Sequence, residues 1–191
     1  VIVSGTNHGQ YVAVRYDANG KNTDPSFGTN GVAVVPSFAD DFFSFGCSDI
    51  VIQPDQKIVV VGTEKNQGNF TDFVIARFNS DGTPDTSFIA NGIFIMDRTN
   101  FPNNRFNNGD AVAIQPDGKI VIAGDMVDYE GDGQISLARL NTDGFPDTST
   151  FGSNGKGTVT VPLADYKSSD GALALQADGK LVVAGSIFSY E

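Results

Sequence analysis

The apolar positions of this chain fall in short unbroken runs, separated by clusters of Asn, Asp, Gly and Pro, and none follows a helical period. Ala111 to Ile114 and Ile120 to Ala123 are two such runs, joined by Pro116-Asp117-Gly118. Runs this short suit strands and not helices, so the segment reads as a buried β-hairpin. Pro116 presets the φ that opens a type I turn, Asp117 bonds back to its own backbone, and Gly118 takes the positive φ that returns the chain to the second strand.

This hairpin, Asp110 to Gly124 (DAVAIQPDGKIVIAG), organises the chain because it recurs. Its turn starts at Gln53, Gln115 and Gln176, spacings of 62 and 61 residues, and a fragment of its second strand opens the chain at Val1 to Gly5. After each copy comes a third apolar run closing on Arg and an apolar residue: Tyr11 to Tyr16, Phe73 to Phe78 and Ile135 to Leu140. A tight turn follows at Asp17 to Gly20, Asn79 to Gly82 and Asn141 to Gly144. Next stand Asp24-Pro-Ser-Phe27, Asp85-Thr-Ser-Phe88 and Asp147-Thr-Ser-Thr-Phe151, and then a fourth run at Val32 to Val35, Ile93 to Met96 and Thr158 to Val161. The last copy alternates Thr with Val as an edge strand does, and Pro36 and Pro162 cap two of these runs.

Four strands, A to D, returning about every sixty residues predict an all-β fold, a β-propeller of four-stranded antiparallel blades present as a partial ring. The expected units are a B-C-D portion over 1–35, blades over 49–96 and 110–161, and an A-B portion over 171–185. Strand A, the most uniformly apolar, is expected innermost and strand D outermost. A propeller ring needs about four blades, so the expectation is a segment of a longer chain, or a ring completed by another chain.

Composition narrows the partners. The 191 residues are 40% hydrophobic, enough for a substantial core, and the net charge of −11 opposes a phosphate backbone, so no nucleic acid is expected. No apolar run approaches bilayer length and no membrane insertion is expected. The chain begins at Val1 and reads as a mature or excised portion. Cys47, the one cysteine, allows no internal disulfide. Acidity, Asn/Gly/Thr richness and repeat architecture point to the outside of the cell.

The series DAVAIQPDGKIVIAG, then ARLNTDG, then DTS-x-FG resembles the delta-60 repeat, a β-propeller family of large secreted or surface bacterial proteins. Gln56, Ala177 and Ile89 depart from its usual Gly, Pro and Gly. The resemblance implies a propeller fold and an extracellular or cell-surface place, often beside sorting or adhesion modules, and no established reaction or ligand.

In a propeller the A–B and C–D turns share one end, and the B–C loops and D–A crossovers share the other. The turns are nearly uniform between copies, whereas the loops differ, and variable loops on a rigid scaffold are where recognition sits. The expected binding residues are therefore Asp40, Asp41, Phe42, Phe43, Asn104, Arg105, Phe106, Tyr129 and Tyr166, aromatics mixed with carboxylates and amides as in carbohydrate or protein contacts. The bland alternative is that the Phe residues plug the space between blades while the acids stay solvated.

No cofactor is expected, with calcium as the alternative: Asp128, Glu130 and Asp132 before Gly133 resemble the start of a calcium loop, although Arg139 stands where an EF-hand needs its bidentate acid. Arg15, Arg77 and Arg139 also occupy the place of a first acidic ligand in the repeated N-x-D-G turns, and are expected instead to pair with Asp24, Asp85 and Asp147. His8 is the one histidine, with no second residue to polarise it, and Cys47 lacks a basic neighbour. The chain is thus expected to be a non-catalytic structural and recognition module for protein or polysaccharide. A calcium-stiffened spacer and a carbohydrate-active enzyme are the alternatives, the enzyme requiring clustered carboxylates with one raised pKa.

Overall fold

The computed structural model describes residues 2–7, 10–34, 43–65, 70–96, 104–128, 133–152, 155–163 and 166–189. These residues form consecutive antiparallel units. The first is β1 (Ile2–Asn7), β2 (Gln10–Arg15) and β3 (Val32–Val34); the second is β4 (Phe43–Ile52), β5 (Ile58–Lys65), β6 (Thr71–Phe78) and β7 (Ile93–Met96). The third is β8 (Asn104–Ile114), β9 (Ile120–Asp128), β10 (Gly133–Leu140) and β11 (Thr158–Leu163), and the fourth is β12 (Tyr166–Leu175) with β13 (Leu181–Ser189). Within each unit every strand pairs with the next in sequence, in registers such as Ile58↔Phe78 and Ile120↔Leu140. A single parallel bridge, Thr71↔Phe106, joins the second unit to the third.

These units are propeller blades, and they fan. Strands A of successive blades lie together: Asp49 Oδ2 accepts the Val112 N–H at 2.9 Å and Asp110 Oδ2 accepts the Gly171 N–H at 3.0 Å, whereas β3, β7 and β11 do not pack on one another to a comparable extent. Among the described residues every substantial cross-blade contact joins consecutive blades, as in a partial ring.

Alternate residues of β5 and β6 face opposite neighbours. Val59, Val61, Phe73 and Ile75 meet Ile120, Ile122, Met126 and Leu140 of the third blade. Ile58, Val60, Val74 and Phe78 meet Tyr11, Ala13 and Phe27 of the first. Each Val, Ile, Leu, Met or Phe side chain removed from water in this way contributes about 1.5–3 kcal/mol. Both strands read as continuous apolar runs because both faces are covered.

The structure corrects the expected burial order. Burial peaks in strands B and C of the second blade, not in strand A, where Ile52 is 49% exposed. The middle strands have a neighbour on each side and a blade on each face, whereas strand A is a sheet edge. Strands A and B also run further than their apolar runs. β8 starts at Asn104 and β4 at Phe43, because the main-chain ladder continues through polar residues with bulges between Ser44 and Gly46 and between Asn104 and Phe106. Pro162 lies within β11 opposite Gln134, tolerated on an edge strand, and does not cap it. One helical turn, α1 (Ile89–Gly92), was not expected. It closes by a Gly92 N–H to Phe88 O bond of 3.0 Å, and its counterpart in the first blade is the same bond from Gly31 to Phe27, at 2.8 Å.

Candidate functional site

At the turn end each C strand presents its Arg to the Asp eight or nine residues on, because the intervening tight turn folds the chain back. Arg77 Nε donates to Asp85 Oδ2 at 2.6 Å, Arg139 Nε to Asp147 Oδ2 at 3.0 Å, and Arg15 Nε to Asp24 Oδ2 at 2.9 Å. The same Asp oxygens accept Lys57 Nζ at 2.8 Å and Lys119 Nζ at 2.9 Å, from the A–B turn of the same blade. Each guanidinium also stacks over the Phe that follows its Asp, at 4.6 Å for Phe27, 4.3 Å for Phe88 and 4.5 Å for Phe151. Burial opposes ionisation of Asp85, but bonds from Lys57 and Ser87 and the Arg77 charge outweigh it and hold the carboxyl well below the usual carboxylate range. Asp147 is held low in the same way, burial being outweighed by Thr150, Lys119 and Arg139.

These nodes reach across blades. Arg15 Nη1 donates to Ser80 O at 2.7 Å and Arg77 Nη1 to Thr142 O at 2.6 Å, each 65 residues on. Beside them Gly28 N–H donates to Asp81 O and Ile89 N–H to Asp143 O. Phe88 lies against Gly144, where an added Cβ would sit 2.6 Å from its ring, and the Gly φ is +93°. The uniform turns are therefore the joints between blades as well as the corners within them.

Two clefts open at these joints. Between the first and second blades, one of about 400 Å³ is lined by Ile2, Arg15, Ile52, Gln56, Ile58 and Ser80. Between the second and third, one of about 350 Å³ includes Gln53, Pro54, Asp55, Arg77, Asp117 and Thr142. They occupy equivalent places.

Toward the loop end a different set of bonds joins the blades. Tyr11 Oη donates to Thr63 O at 2.8 Å, and Thr63 Oγ1 and Thr71 Oγ1 accept the Gly109 and Asn107 N–H groups. Glu64 and Asp72 face each other across β5 and β6, only 2% and 4% exposed. Burial, and then the Asp72 charge, push the Glu64 carboxyl up to about 7. Two acids side by side, one with a raised pKa, are the feature the enzyme alternative requires; neither is among the residues lining these two clefts. Asn107 is fully buried with neither amide atom hydrogen-bonded.

The expected binding residues are distributed as follows. Phe43 opens β4, Asn104, Arg105 and Phe106 open β8, and Tyr166 opens β12, so these lie on strands and not in loops. Asp40, Asp41, Phe42 and Tyr129 lie outside the described residues. Of the calcium candidates, Asp128 ends β9, while Glu130 and Asp132 lie outside the described residues. Cys47 is half-buried, and burial pushes its thiol up. The sequence reading missed Lys57 and Lys119, although each stands 28 residues before the Asp it binds and closes a Q-P-D-x-K turn.

Sheets of four antiparallel strands, fanned and clasped by a recurring node, define a β-propeller repeat protein. Three segments, 53–88, 115–149 and 176–191, are similar to the family described as "Domain of unknown function (DUF5122) beta-propeller", in keeping with the β-propeller fold of repeated blades. No curated protein matches it.

Proposed function

We propose that this chain is a non-catalytic structural and recognition module of a large secreted or cell-surface bacterial protein, holding a protein or polysaccharide with the B–C and D–A end of its blades. The observation that carries the reading is the engagement of the recurrent charges at the turn end. Arg77 and Lys57 both bind Asp85, and Arg77 also binds the next blade, so construction accounts for the recurrence of these charges. The residues that differ between copies fall in the B–C and D–A connections of the sequence, on a scaffold these nodes make rigid.

The resemblance to delta-60 repeats supports the secreted or surface setting. Further repeats complete the ring, from the remainder of a longer chain or from another chain. In support, Val182 is 47% exposed, whereas Val59 and Val121, at the same place in the repeat, are fully buried under a following blade.

The test is surface plasmon resonance of the chain over immobilised bacterial capsular polysaccharides and extracellular-matrix proteins, repeated with Phe42→Ala, Arg105→Ala and Tyr129→Ala. Loss of a retained ligand on these substitutions is expected. A ligand bound equally well by all three variants overturns the loop-end assignment.

A further inference from the structure

We propose that the cleft between the A–B turns of the second and third blades is a subsite for a neutral sugar unit, on the end of the molecule opposite the variable loops. This goes beyond the loop-end reading and does not depend on it. At about 350 Å³ the cleft lies in the range of small-ligand sites. Its lining mixes donors and acceptors: Arg77 and Lys57, the carboxylates of Asp55 and Asp117 from the two turns, and the Gln53 amide. The cations are already paired with Asp85, Asp55 uses one oxygen on the Lys57 N–H, and Asp117 uses one on the Lys119 N–H and sets the other 3.8 Å from Lys119 Nζ, so these charges are largely paired and the remaining chemistry suits hydroxyl groups better than an ion. Pro54 and Pro116 add apolar surface for a sugar ring's C–H face.

Two observations point to a ligand. Gln53 is 6% exposed and its Oε1 has no hydrogen-bond partner, an arrangement costing roughly 1–3 kcal/mol. In the third blade the equivalent Gln115 Oε1 accepts Arg139 Nη1 at 3.3 Å; in the second, Arg77 Nη1 is drawn to Thr142 O and leaves Gln53 unserved. With no partner holding Oε1, the terminal amide turns about χ3, a soft torsion, to meet a ligand in the cleft it lines. A sugar hydroxyl, both donor and acceptor, serves either end of that amide.

The second observation is at the preceding joint. Gln56 occupies the turn position that is Gly118 and Gly179 in the other copies, at a left-handed φ of 68°, and its side chain lines the equivalent cleft with Arg15 and Ser80. That conformation costs a non-glycine residue roughly 1–2 kcal/mol.

The experiment is a microarray of neutral oligosaccharides, including glucans, mannans and galactans, followed by titration calorimetry of a retained glycan. Wild type, Gln53→Ala, Asp117→Asn and the loop-end variant Arg105→Ala are compared, with circular dichroism to establish that each is folded. At least a tenfold loss of affinity is expected for Gln53→Ala and for the surface variant Asp117→Asn, with Arg105→Ala unchanged. If Gln53→Ala does not fold, Asp117→Asn decides. No retained neutral glycan overturns the subsite. So does binding that survives both cleft substitutions and is lost with Arg105→Ala, a result that leaves the loop-end reading standing.

Discussion

Arg77 Nη1 lies 2.6 Å from the main-chain oxygen of Thr142, one blade further on. The same guanidinium holds Asp85 through Nε and covers the Phe88 ring, so one side chain joins the turn of its own blade to the turn of the next. Arg15 repeats the arrangement toward Ser80, but its pair is more open: the Arg15 and Asp24 side chains are 24% and 31% exposed, against 5% and 4% for Arg77 and Asp85.

That difference in exposure sets the first prediction. Arg77→Met leaves the buried Asp85 carboxylate with Lys57 as its one remaining cation in the node and is expected to cost about 3 kcal/mol, whereas Arg15→Met, at a solvated pair, has little effect. Urea unfolding of both variants measures this. Equal losses would show that the Arg contributes through its packing on Phe and not through its charge.

Acid should loosen the same nodes. Asp85 and Asp147 ionise well below their ordinary value of 3.8 in the folded chain, so their stabilisation is fully present above that value and is lost as the pH falls beneath it. Thermal melts should show the midpoint dropping steeply below about pH 4, and less steeply in Asp85→Asn, which begins from a lower plateau. A midpoint flat to about pH 2 would contradict the account.

Glu64 has the opposite sign. Its folded carboxyl titrates at about 7 against an ordinary 4.5, so the folded chain holds a proton the unfolded chain has released. Stability therefore declines as pH rises from 4.5 through 7. Glu64→Gln removes the buried charge and should raise stability at pH 8 by on the order of 3 kcal/mol, with little change at pH 5. Identical pH profiles for variant and wild type would mean that Glu64 is ionised at no cost.

Replacing Gln56 with Gly should relieve a left-handed backbone and raise the melting temperature, by an amount equivalent to about 1 kcal/mol after the added flexibility of Gly in the unfolded chain is subtracted. Differential scanning calorimetry decides it. A lower melting temperature would show that the Gln56 side chain holds the first joint together and that its strain is repaid locally.

Much of the fold was legible in the sequence because turn chemistry is local. Pro116-Asp117-Gly118 and Asn141 to Gly144 announce their corners, and their recurrence sets the blade. The Arg77 and Asp85 pairing was legible for the same reason, the two lying at either side of one tight turn. The Lys57 contact was not, since it depends on two hairpins standing side by side, and the Thr142 contact could not be, since a main-chain acceptor carries no side-chain signature. Nor do apolar runs mark where a ladder stops. β8 begins at Asn104, seven residues before Ala111, because main-chain bonds hold polar and apolar residues alike. The Glu64 and Asp72 pair follows from that extension, which sets two acids opposite each other beyond the expected strand ends.

The clasps that join each blade to the next also bear on how the molecule answers force. A tug applied along this stretch meets a series of similar clasps, one at each joint between blades. Blades would let go singly, the solvated Arg15 clasp before the sealed Arg77 one, and the chain would lengthen in steps of roughly one repeat.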